Sequence, residues 1–303
     1  EEIMSNKDEK VIEEFGDEWT KFDYSNIDSE KLNENFDQYF SIFPWGMLSK
    51  NAVGFDMGCG TGRWAQFVAP KVKTLNCIEP SNAINAAKKN LINNKNVIFL
   101  RETTENCSLS PGSQDFGYCL GVLHHIPNTQ KALIDCTNLL KSGAPILLYL
   151  YYSFENKPAW FKALWKLSDY IRKFISVSPR PIKHFLVALI ALVVYFPLTR
   201  LAHILEKMGL NVENFPLADY RKKPFYQCKN DSLDRFGTRL EQRFSKSQIT
   251  EMLTKSGCKG VKFSPNTPFW CCVAFVLLSF CGLGVVLMSL GVLFGSSRAS
   301  FAE

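Results

Sequence analysis

Two rhythms of apolar and polar positions divide the chain. Between residues 52 and 152, short unbroken apolar runs alternate with stretches whose apolar residues recur every three or four positions. The runs at 52–57, 74–78, 97–100, the segment opening at Asp115 and 145–152 read as strands, and 62–69, 81–93 and 128–141 read as helices. Strands and helices in strict alternation predict a parallel sheet covered on both faces. Ahead of it lie a charged segment expected to fray, an aromatic cluster from Phe15 to Phe22 on an acidic background, and a helix from Ser29 to Phe43 that stops before Pro44. Behind it, Ser245–Ser256 forms a helix with Ser245 or Ser247 as cap and Gly257 as stop. Lys259–Phe263 and Phe269–Phe275 then make a hairpin.

Residues 153–244 follow a different pattern. Trp160, Phe161, Leu164, Trp165, Leu167, Ile171, Phe174 and Ile175 alternate with Lys162, Lys166, Arg172 and Lys173, which predicts a basic amphipathic helix. After Pro179 and Pro181, Phe185–Leu198 runs fourteen residues without a charge. A bilayer span needs about 20 residues, and Pro197 is expected to interrupt this one, so a buried or interfacial helix is predicted. The segment is expected to form a lid over a substrate pocket. Its apolar and basic character fits a lipid-linked or membrane-surface substrate; a helical cap with its own core is the plainer alternative. Further on, Val276–Gly295 is uncharged for twenty residues. That length fits a membrane anchor, a strand extension, or a non-native tail from an altered reading frame. The expected organisation is a helical leader at 1–50, a core at 51–152, the insertion at 153–244, the last helix and hairpin at 245–275, and the tail at 276–303.

Composition narrows the class. With 303 residues and 46% apolar content the chain can fill a sizeable core. Ten cysteines are scattered without a Cys-x-x-Cys pair, so they are expected to be free thiols in a reducing cytosol. The four histidines make no metal pattern; no structural metal and no signal peptide are expected. The expected location is cytoplasmic, with membrane association through 160–198 and 276–295. Net charge is uneven: residues 1–50 carry 5 Lys/Arg against 13 Asp/Glu, and residues 157–262 carry 20 against 8. A basic half can meet anionic lipid, a phosphorylated substrate or nucleic acid, or can simply be a solvated face.

Candidate chemistry begins at Val53–Phe67, where an apolar strand meets Gly58, Gly60 and Gly62 and then a helix start. Arg63 removes the Gly-x-Gly-x-x-Gly spacing of nicotinamide dehydrogenases. The segment instead closely resembles the acidic-x-Gly-x-Gly-x-Gly turn of class I S-adenosylmethionine (SAM)-dependent methyltransferases, of the bacterial small-molecule or sugar kind, type 11-like. The resemblance implies a Rossmann-like seven-stranded α/β fold whose last strand is antiparallel. It implies that Gly58, Gly60 and Gly62 make room for SAM, that Asp56 orients the site near the SAM ammonium, and that Glu79, at the end of the second strand, binds the ribose. Cys59, Pro80 and Leu120 are further expected cofactor contacts. Thr103, Thr104 and Glu105 align approximately with an adenine-holding segment, although the usual acid is displaced to Glu102 or replaced by Thr103.

A second resemblance lies in Val122-Leu123-His124-His125-Ile126-Pro127, since many small-molecule methyltransferases carry Leu-His-His and a proline here. A Lys-Ser-Gly-Ala turn at 141–144 is a close variant of another of their segments. His125 and His124 are therefore candidate catalytic residues, with Glu241 as an alternative base; both histidines could instead merely cap the loop. Trp19, Tyr220, Arg235 and Arg239 are candidate acceptor contacts, the last two also readable as ion bridges that hold the lid down. No Pro-Pro-Tyr/Phe motif follows the fourth strand, so nucleic acid is not the expected acceptor. A hydroxyl on a small molecule, sugar or lipid-linked compound is. The alternatives are a catalytically silent SAM-fold module at a membrane and an NAD-dependent oxidoreductase. The sequence leaves the oligomeric state open.

Overall fold

The computed structural model describes residues 5–21 and 29–277, apart from 213, 224 and 269. The helices are α1 (Glu9–Lys21), α2 (Ser29–Phe40), α3 (Ala65–Val68), α4 (Ala83–Asn90), α5 (Thr129–Asn138), α6 (Ala159–Ser176), α7 (Arg180–Ile190), α8 (Phe196–Lys207), α9 (Phe225–Gly237) and α10 (Lys246–Lys255). The strands are β1 (Val53–Met57), β2 (Thr74–Ile78), β3 (Val97–Leu100), β4 (Phe116–Leu120), β5 (Pro145–Tyr149), β6 (Cys258–Phe263) and β7 (Cys272–Val276). They form one seven-stranded sheet in the order β3-β2-β1-β4-β5-β7-β6. β1 to β5 run parallel, and β7 enters antiparallel between β5 and β6. This is the Rossmann-like methyltransferase sheet expected from the sequence.

The centre of the sheet shows why these residues pair. In the register of β1 and β4, Gly54 faces Phe116 and Phe55 faces Gly117. A side chain at either glycine would come within 2.3 Å of the opposite ring. Each phenylalanine thus fills the space its partner glycine leaves, and a slipped register would lose both fits. On one face of the sheet Phe36 and Phe40 of α2 pack with Trp64, Leu75 and Phe116. On the other, Leu133, Ile249 and Leu253 pack with Phe55, Ile78, Ile146 and Leu148. Each large side chain so buried contributes about 1.5–3 kcal/mol.

Boundaries differ from expectation where backbone chemistry intervenes. The helix predicted at 62–69 begins only at Ala65, because Gly62-Arg63-Trp64 remain in the loop. Ser245 caps α10 in a capping box with Gln248, worth about 1 kcal/mol. Pro197 does not interrupt the insertion. A five-residue π-helical stretch at Ala191–Tyr195 widens the backbone just ahead of it, and Pro197 is taken up at this irregularity, at the start of α8. Helical structure therefore runs from Arg180 to Lys207.

The insertion does have its own core, built from Ile175, Val187, Tyr195, Cys228, Leu233 and Phe236. The nine described cysteines are free thiols. Phe22 and residues 278–303 lie outside the described residues, and with them nearly all of the expected anchor at 276–295.

Candidate active site at the carboxyl end of the sheet

All three glycines of the β1 turn have left-handed φ angles, +76°, +53° and +77°. Their roles differ. A side chain at Gly58 would come within 2.5 Å of Val122, and one at Gly62 within 2.7 Å of Leu91, so these two permit tight packing. At Gly60 the nearest atom is the Trp19 indole nitrogen, 3.9 Å away. Only Gly60 therefore leaves a gap in front of its backbone, bounded by the Trp19 ring, which corrects the expectation that all three make room for a ligand.

Glu79, buried at the end of β2, fixes this turn. Its Oε2 accepts from the Gly60 N–H at 3.1 Å and its Oε1 from the Ser81 N–H at 2.9 Å. Asp56 lies one strand over, also buried, with one carboxyl oxygen that has no hydrogen-bond partner. Burial pushes its pKa up to about 8, against the opposing influence of the Tyr118 hydroxyl.

Other expected cofactor contacts are placed less directly. The Cys59 thiol turns into the core beside Cys77, so only its backbone can line the site. The Pro80 carbonyl accepts from Arg101, and Leu120 is buried at the end of β4. In the loop after β3, Thr104 is buried, whereas the Thr103 hydroxyl accepts from the Asn106 N–H. Glu102 caps the Ser108 N–H at 2.7 Å. Glu105 accepts from the Asn6 N–H at 2.6 Å, binding the leader to this loop. Glu102 and Glu105 thus hold backbone rather than stand free.

The His pair sits in a single 3-10 turn after β4. His124 is fully buried and stacked on Tyr151 at 3.8 Å, and neither ring nitrogen has a partner. Burial lowers its pKa well below the usual histidine range. This burial removes it as the candidate catalytic residue the sequence suggested. His125 is different: its Nδ1 lies 2.7 Å from the Leu240 carbonyl. A carbonyl can only accept, so Nδ1 carries the proton and Nε2 keeps its lone pair. That Nε2 is buried without a partner. Burial lowers the His125 pKa, offset in part by Asp234, so the ring is neutral at pH 7.

Glu241 is not a base. Arg235 donates to both of its oxygens at 3.1 and 3.0 Å, and Arg243 donates to Oε1 at 2.8 Å. With a side chain 1% exposed it is the counter-ion of two guanidiniums. Arg235 is accordingly engaged with Glu241, Ser168 and the Trp165 ring rather than free for an acceptor. Arg239 pairs with Glu14 at 3.7 Å. Tyr220 packs against Tyr195, with the Lys223 ammonium 4.3 Å above its ring.

The leader crosses the strand ends and closes the site from above. Trp19 stands over Gly60 and within 5.2 Å of the Arg63 guanidinium, on the glycine-turn side rather than beside Tyr220. Phe15 lies 4.7 Å from His125. Glu14 pairs with the buried Lys183 of α7, which also donates to the Gly237 carbonyl. Phe15 and Glu14 also line a cleft of about 30 Å³ with Lys183, His184, Leu233 and Thr238. Two residues escaped the sequence reading. The Tyr151 hydroxyl donates to Asp234 at 2.5 Å, and Tyr151 touches both histidine rings. Tyrosines at 149, 151 and 152, at the end of a predicted strand, were the available signal.

These residues fit SAM. The unpartnered Asp56 oxygen calls for a cation or donor, which the SAM ammonium is, and the gap between the Gly60 backbone and the Trp19 ring suits a ligand laid against that backbone. Glu79 adds hydrogen-bond acceptors at the neighbouring strand end. Sheet order, antiparallel β7 and this turn together define the class I SAM-dependent methyltransferases. Comparison with known proteins agrees: the family described as "Methyltransferase domain" matches residues 55–148.

An enzyme of Klebsiella pneumoniae named ubiquinone biosynthesis O-methyltransferase is 25% identical over 151 residues, 49% of this chain and 60% of that protein. Its Escherichia coli O81 counterpart is 23% identical over 61% of this chain and 77% of its own length. The chain thus spans about three fifths of the Klebsiella relative. A chain from the solved complex of Haloferax volcanii Trm112 methyltransferase activator with its methyltransferase partner superposes with a TM-score of 0.51 at 9% identity. That match covers 88% of this chain and 98% of the other, and it shows the shared fold.

Proposed function

We propose that this protein transfers the methyl group of SAM to a hydroxyl of a small-molecule, sugar or lipid-linked acceptor, with His125 taking the hydroxyl proton. The observation that carries this reading is the His125 ring. Nδ1 is committed to the Leu240 carbonyl, and a buried Nε2 lone pair is left on the strand end adjacent to the Gly60–Glu79 turn. When bound, SAM supplies an electrophilic methyl group on a sulfonium. Asp56 would hold its ammonium and Glu79 its ribose.

The chain's own part is to hold the acceptor in line and to exclude water. The leader serves the second task, with Trp19 and Phe15 closing over the glycine turn and the histidine. Tyr151 and Asp234 brace the ring pair from below, and neutral His125 accepts a proton at Nε2. The O-methyltransferase names of the Klebsiella and E. coli relatives support oxygen as the accepting atom.

The test is methyl transfer from SAM labelled in its methyl group to three probes: a prenylated catechol, an alkyl glycoside and a soluble catechol. Label should enter at least one at oxygen, and His125→Gln should abolish entry while SAM still binds. Label appearing only on nitrogen, or undiminished in His125→Gln, would refute the assignment.

A further inference from the structure

The insertion leaves much apolar surface outside its own core. Along α6, Trp160, Leu164, Leu167, Ile171 and Phe174 recur every three or four residues and are all exposed, Phe174 at 72%. They form one solvent-facing stripe. Its opposite face carries the buried Arg172 and Ser176. The next helical run repeats this: Ile182, Phe185, Leu189, Leu201 and Ile204 are exposed, while Lys183 and Thr199 are buried. Contiguous apolar surface on this scale marks an interaction site.

Charge indicates what covers it. No acidic side chain is free on either helix, because Asp169 is paired with Arg172 and Lys173, and Glu206 with Arg221 and Lys222. Lys166, Lys173 and Lys207 remain exposed around the stripes. Apolar residues rimmed by cations match an anionic lipid surface. The run Arg180–Lys207 is long and apolar enough to cross a bilayer. Its inner face, however, is held to the protein body by the Lys183 contacts with Glu14 and Gly237, an arrangement that suits lying on a surface rather than crossing a bilayer.

We propose that the outer stripes of α6, α7 and α8 dock this protein onto an anionic bilayer surface. The docking does not depend on the methyl-transfer reading. Where both hold, the acceptor reaches the site from the lipid phase, because α9, which carries Asp234, packs directly beneath these helices.

The experiment uses the full chain with vesicles of phosphatidylcholine alone or mixed with phosphatidylglycerol, doped with a diazirine phospholipid whose crosslinks are mapped by mass spectrometry. Crosslinks should fall at 160–174 and 182–204, and binding should be stronger on the anionic vesicles. Leu167→Ser with Phe174→Ser should cut those crosslinks about tenfold or more. Lys166→Glu with Lys207→Glu should remove the preference for anionic lipid, and SAM should bind both variants as it binds the unaltered chain. Crosslinks confined to 278–303 would overturn the proposal. So would a lipid-free dimer, seen by sedimentation velocity, that the Leu167→Ser/Phe174→Ser pair dissolves. Loss of SAM binding with crosslinking intact would instead count only against methyl transfer.

Discussion

The carboxyl end of the sheet and the helical insertion treat polar groups in opposite ways. At the sheet end, charged and polar groups are buried and left short of partners: one Asp56 oxygen, His125 Nε2 and both His124 nitrogens. In the insertion Glu241 is matched between two arginines and Lys183 against Glu14 and the Gly237 carbonyl, while Asp231, its pKa pushed up to about 6 by burial, is the exception with one unpartnered oxygen. Unmatched buried polarity costs stability, and a ligand is one way to complete it. Matched polarity is construction. The difference separates candidate ligand contacts such as Asp56 and His125 from residues that hold helices in place, although both sets looked alike as sequence.

Substitutions should break along this line. The largest effect is expected at His125: His125→Gln should lower kcat about 10²- to 10⁴-fold while leaving the SAM dissociation constant unchanged in a calorimetric titration. Next comes Glu241→Gln, which strands two guanidiniums. It should lose about 3–5 kcal/mol of stability in denaturant unfolding, with any activity loss tracking the unfolded fraction.

A smaller effect is expected from pH. Ligand-free Asp56 holds its proton up to about pH 8, and a bound ammonium would release it. SAM affinity should therefore rise as pH goes from 6 to 8, by up to about tenfold per unit, and Asp56→Asn should flatten the rise. Burial lowers the pKa of both histidines below 6.5, so in the unfolded chain they take up protons first. Their contribution to stability is present above pH 6.5 and is lost as pH falls below it. The smallest effect is expected at Arg239→Ala, whose half-exposed pair with Glu14 should be worth at most about 1 kcal/mol in thermal unfolding.

Much of the sheet end was legible because its signals are local. Glycines with positive φ, apolar runs and an acid at a strand end declare themselves within a few residues, and Glu79, which the structure shows holding the Gly60 turn, was read that way. The choice between the two histidines was not local: the Leu240 carbonyl, 115 positions away, sets the His125 tautomer. Glu241 and Arg235 were misread for the same reason, since their mutual pairing is invisible without the fold. For α6, periodicity revealed an amphipathic helix but not which side faces outward. Nothing in the spacing says that Arg172 is buried and Phe174 exposed. Pro197 misled because the π-helical stretch before it has no sequence mark.

The central claim is that SAM binds against Gly60 and Glu79. Its most direct test is calorimetric titration of SAM and S-adenosylhomocysteine into the unaltered protein and Glu79→Ala. The account predicts binding of both ligands to the unaltered chain, weakened about 100-fold or more in Glu79→Ala by loss of hydrogen bonds to a carboxylate. Absence of binding by the folded protein, or equal affinity in the two, would contradict it.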